Sequence, residues 1–177
     1  MKRVASQLTF CSPDKILRRA VVERNEQNIV TQLFSLDEGN VEATRTLFFD
    51  GILSAEIVSL KQNNQVDMIS CLYKDYQYLD LTINPHVIEI VPTRKPLVLD
   101  FGTNQTNVIN IILQHSIQAL SAFTIFDIIA ACTYYPSLLI GGVPELTVNR
   151  FTRLMLWEDV DMINKTLIAS SHVREII

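Results

Sequence analysis

Cysteine, histidine and charge are all in short supply in this chain, and each shortage excludes a class of function. The three cysteines, Cys11, Cys71 and Cys132, are odd in number and far apart. They form neither a disulfide framework nor a C-x-x-C metal motif, which fits a reducing compartment. The three histidines, His86, His115 and His172, each lack a co-ligand at metal-binding spacing. Only 19% of residues are charged and the net charge is -4, so the basic footprint of a nucleic-acid binder is missing. Apolar runs fall far short of a membrane span. Gln7 and Thr9 interrupt the apolar pattern that would have to follow Met1-Lys2-Arg3 in a secretory leader. A cytoplasmic protein, with neither membrane nor nucleic acid as partner, is the expectation.

Apolar residues, by contrast, are plentiful. They make up 48% of 177 residues, enough for one domain with a substantial core. The mean hydropathy of +0.20 is rich for a chain of this size. It predicts that some apolar surface is covered by another subunit.

Residues 3–34 carry strand signals: Val4, Leu8 and Phe10 alternate with polar positions, and Cys11-Ser12-Pro13-Asp14 is a turn cluster. Ile16-Leu17 with Ala20-Val21-Val22 predicts a second strand, Ile29–Leu36 a third and Thr46–Leu53 a fourth. Their spacing predicts an antiparallel sheet or sandwich. Between residues 54 and 82, Ala55, Val58, Leu60, Val66, Ile69, Leu72, Tyr73 and Tyr76 fit a helical period better than alternation. Val87–Val91 and Leu97–Phe101 read as strands, and a helix is expected from Gln105 to Leu120. Thr124 is a suitable N-cap, with Asp127 as its capping-box partner, for a helix ending near Tyr134-Tyr135 before Pro136. Two last strands are expected, one in RFTRLMLWED and one at Val173–Ile177. Tyr73, Tyr76, Tyr78, Tyr134 and Tyr135 supply aromatic surface for a core or an interface.

The stretch KPLVLDFGTNQTN offers the best position for a site. A buried strand closes on Gly102, and a helix pattern follows directly. In α/β architectures such strand ends hold ligands and catalytic groups. Gly102, Thr103 and Asn104 could present free backbone N–H groups to an anion, although the glycine density of a phosphate loop is missing. Asp100 stands on the strand itself, facing away from Leu99 and Phe101. It reads either as an acid available for chemistry or as a hydrogen-bonded partner of Thr103, Asn104 or a helix terminus.

The order of elements resembles the metal-dependent amidohydrolase superfamily. KRVASQLTF through TLFFDGIL looks like the opening strands of that family, KPLVLDFGTN like its last barrel strand, and FTIFDIIAACTYYPSLLIGG like the helix that follows. VPELTVNRFTRLMLWEDVDM is similar to its returning strands. The resemblance covers roughly residues 1–60 and 95–177. It implies a β-sandwich made from both chain ends around a TIM-type barrel. Such a barrel needs roughly 200 residues, and only residues 61–94 lie between the matching parts. The H-x-H metal motif is replaced in LSAEIVSLKQ by Glu56 and Val58, and the catalytic aspartate by Asn104, an amide that is neither a base nor an anion.

The sequence reading is therefore an α+β protein. Residues 1–53 and 142–177 form a β-sandwich-like sheet from both chain ends. Residues 54–141 form an inserted α/β segment, the remnant of a TIM-type barrel. The expected function is a non-catalytic binding or scaffolding module, a homo-oligomer (most simply a dimer) with room for another protein partner. Its interface is expected around residues 55–80 and 105–135. Two alternatives stay open. One is a metal-dependent hydrolase or deaminase using new ligands or completed by a partner chain. The other is a small-ligand sensor at the Asn104 strand end. No catalytic residue, metal ligand or cofactor is assigned, and the ligand-binding set is Asp100, Gly102, Thr103 and Asn104.

Overall fold

The computed structural model describes residues 2–38, 45–60, 75–80, 95–100 and 123–176. It is a mixed α+β protein, mostly strands. The N-terminal strands are β1 (Lys2–Ser12), β2 (Lys15–Arg18), β3 (Ala20–Arg24), β4 (Val30–Ser35) and β5 (Thr46–Ala55). Two short strands, β6 (Gln77–Asp80) and β7 (Leu97–Asp100), precede the helices α1 (Ile125–Cys132) and α2 (Tyr134–Leu139). The chain ends in β8 (Leu154–Asp161) and β9 (Thr166–Ile176).

One seven-stranded sheet takes strands from both chain ends, in the order β4-β3-β1-β5-β8-β9, with β2 beside β1. Two further bonds reach from β3 and β4 to the other side of the sheet. The Arg24 guanidinium on β3 donates to the Ile176 carbonyl of β9 at 3.1 Å. The Val30 N–H of β4 donates to the Arg150 carbonyl at 2.8 Å, just ahead of β8. Apolar clusters form on both faces. Val4, Cys11, Val22, Leu53, Leu154 and Leu156 pack on one side. Phe10, Ile52 and Trp157 pack on the other, against Leu97, Leu99, Ile125 and Ile129. The second sheet is the pair β6-β7, parallel and in register from Gln77↔Leu97 to Asp80↔Asp100. No barrel closes among the described residues.

Several sequence expectations need correction. The second strand is two, because Arg19 adopts a left-handed φ of 44° and breaks β2 from β3. The first four strands are not all antiparallel: β5 runs parallel to β1, from Arg3↔Thr46 to Thr9↔Leu53. The helix expected over 54–82 is overturned at both of its described ends, where Ala55 closes β5 and Gln77–Asp80 forms β6. At the first of these ends Ala55, Ile57 and Leu60 are all buried, a spacing that also fits a helical period. Pro136 does not end helical structure. It sits in the first turn of α2, where its missing N–H is not needed. The last strand is longer than expected, starting at Thr166. The expected strand at 87–91 and helix at 105–120 lie outside the described residues.

The capping box expected at Thr124 is present. Its hydroxyl accepts from the Asp127 N–H at 3.3 Å, and the Asp127 carboxylate accepts from the Thr124 N–H at 2.8 Å. This fixes the start of α1, whose residues Ile125, Ile128 and Ile129 are buried against β7 and the main sheet. Removing the cap by Thr124→Ala is expected to cost about 1 kcal/mol. It should appear in urea unfolding as a lower midpoint at unchanged slope.

Candidate functional site

All four residues of β7 are buried, as strands covered on both faces are. Alternation sends Leu97 and Leu99 into the core shared with α1, and Val98 and Asp100 to the opposite face. Asp100 has no solvent exposure. Its carboxylate is held by two hydroxyls from other segments. Ser59, in the chain leaving β5, donates to Oδ1 at 2.8 Å. Tyr78, on β6, donates to Oδ2 at 3.0 Å. Parallel register puts Tyr78 opposite Val98, so its ring stands on the same face as Asp100, one diagonal step away.

This arrangement ties three segments together and satisfies a buried acid that would otherwise be costly. A carboxylate with no exposed surface is not open to a dissolved ligand. Within the expected set, Asp100 is thus placed in the interior, whereas Gly102, Thr103 and Asn104 lie outside the described residues. Ser59 and Tyr78 stand 41 and 22 residues from Asp100, and no local spacing pointed to either.

The two described cysteine thiols, Cys11 and Cys132, are both buried. Burial pushes Cys11 up to about 11, with Lys15 only partly opposing it. Cys132 is fully buried and burial raises it further. Cys71, His86 and His115 lie outside the described residues.

His172 is exposed on β9 and sits in a charged cluster. Its Nε2 lies 3.0 Å from the Glu158 carboxylate, and its Nδ1 3.6 Å from that of Asp159. Arg174 grips Glu158 through two N–H donors, at 2.6 and 3.1 Å. This bidentate bond is the main reason that the Glu158 carboxyl is held below its usual range. The Arg174 guanidinium also lies over the Phe49 ring, 5.2 Å from its centroid. Among the described residues, no three His, Cys, Asp or Glu side chains converge as metal ligands.

Compared with family models, curated proteins and solved structures, the chain finds no match in any of the three.

Proposed function

We propose that this chain is a non-catalytic binding or scaffolding module that pairs with a second copy of itself. In this reading it follows an amidohydrolase-like plan, a composite β-sandwich carrying a remnant of a barrel. Two features support the plan: one sheet takes strands from both chain ends, and the segment between them contributes a parallel strand pair with a helix on it.

The observation that carries self-association is the first half of β5. Residues Ile52–Ala55 pair with β8, but Thr46–Asp50 pair only with β1 among the described residues. That open edge carries Leu47 and Phe48, 63% and 59% exposed. An unpaired strand edge with large apolar side chains is a template for another strand. A two-fold mate would lay the same segment alongside it and satisfy both copies at once. The interface expected at 55–80 and 105–135 shows no exposed large apolar side chain among its described residues. Residues 61–74 and 105–122 of that region lie outside the described residues, and the proposed contact is placed on β5.

Phe48→Lys tests this, because it sets two like charges near the two-fold axis. The expected result is a dimer dissociation constant raised about tenfold or more, read by sedimentation velocity, with the circular dichroism spectrum unchanged. Equal association of the two proteins would overturn the assignment.

A further inference from the structure

A second site lies at the opposite edge of β1, where the β2 hairpin, the first turn of α1 and the β8–β9 connection meet around a groove of about 660 Å3. Its floor is apolar, made by Leu8, Ile16, Ile125, Phe126 and Met162. Its rim is cationic, made by Arg18, Arg19 and Lys165. Among the described residues the only lining acid is Asp37, and it is engaged by Arg19 at 3.0 Å. Arg18 and Lys165 are the remaining charged residues of its described lining.

Local structure fixes this geometry. The left-handed turn at Arg19, bonded from its N–H to the Gln7 carbonyl at 3.0 Å, holds the end of β2 over β1. On the other wall, the Lys165 carbonyl accepts the Ile125 N–H at 2.7 Å, which locks the β8–β9 turn to the start of α1. One wall is thus bonded to β1 and the other to α1, each by a backbone hydrogen bond.

We infer that this groove binds a small amphiphilic anion, with its apolar body on the Leu8–Phe126–Met162 floor and its carboxylate or phosphate between Arg18 and Lys165. Charge complementarity selects an anion, and the volume falls in the range of sites for single small molecules. The apolar floor requires more than an inorganic ion. The inference is independent of self-association through β5.

Calorimetric titration of the full chain with decanoate, decyl phosphate, decanol and inorganic phosphate tests it, with the first two distinguishing carboxylate from phosphate. Saturable binding of at least one amphiphile is expected, with decanol and inorganic phosphate weaker by about tenfold or more. The double variant Arg18→Glu, Lys165→Glu should lose about tenfold in affinity while keeping its melting temperature, since both side chains are exposed. The inference is overturned if neither amphiphile binds below about 1 mM, if decanol binds equally well, or if charge reversal leaves affinity unchanged. It is equally overturned if only an acidic, apolar peptide saturates the site.

Discussion

Replacing Gly51 with alanine is expected to lower the unfolding free energy by about 4 kcal/mol, a drop of roughly 10 °C or more in melting temperature for a chain of this size. Two independent costs add. Gly51 has a φ of 125°, a region closed to residues with a Cβ. A Cβ built there would also lie 2.2 Å from the Trp157 carbonyl oxygen, a backbone atom that cannot swing aside. The position matters because β5 carries an extra residue here. Between Ser6↔Phe49 and Leu8↔Ile52 the β1–β5 register slips by one. On the Thr46 side of this point β5 and β8 part, which leaves Thr46–Asp50 without a partner on that side among the described residues. The same glycine thus permits both the close approach to Trp157 and the splitting of the sheet. Thermal unfolding of Gly51→Ala checks this, and a change of a few tenths of a kcal/mol would mean that the bulge is not as described.

Asp100→Ala is the second large effect, with an expected cost of about 3 kcal/mol. The substitution leaves the Ser59 and Tyr78 hydroxyls without this acceptor in the interior and opens a small void. Asp100→Asn keeps the volume and one carbonyl acceptor, so its cost should be about half as large. Denaturant unfolding of both variants separates the readings. A structural hub predicts the graded loss, whereas an acid held for chemistry would change little in stability on conversion to either residue.

The sequence made some of this legible because the signals were local. Thr124 and Asp127 lie three residues apart and cap a helix through their own backbone. The strand at Leu97–Asp100 is a short apolar run bounded by turn residues, and its neighbours implied the burial of Asp100. What escaped was non-local. Nothing in the spacing of Lys2–Ser12 and Thr46–Ala55 says that they pair in parallel, since pairing direction depends on the intervening path. Gln77–Asp80 was absorbed into a helical period because a four-residue strand is too short to show alternation against the helical spacing before it. The partners of Asp100 were invisible because Ser59 and Tyr78 reach it only after β6 and β7 pair and the exit of β5 packs alongside them. The groove beside Arg18 also needed the fold, which brings Ile16, Phe126 and Met162 together from three separate segments.

Self-association through β5 is most directly tested by the mass of the native chain in sedimentation equilibrium at micromolar concentration. The account predicts a species of twice the 20.1 kDa chain mass, dissociating reversibly on dilution. A compact monomer of 20.1 kDa throughout that range would contradict it.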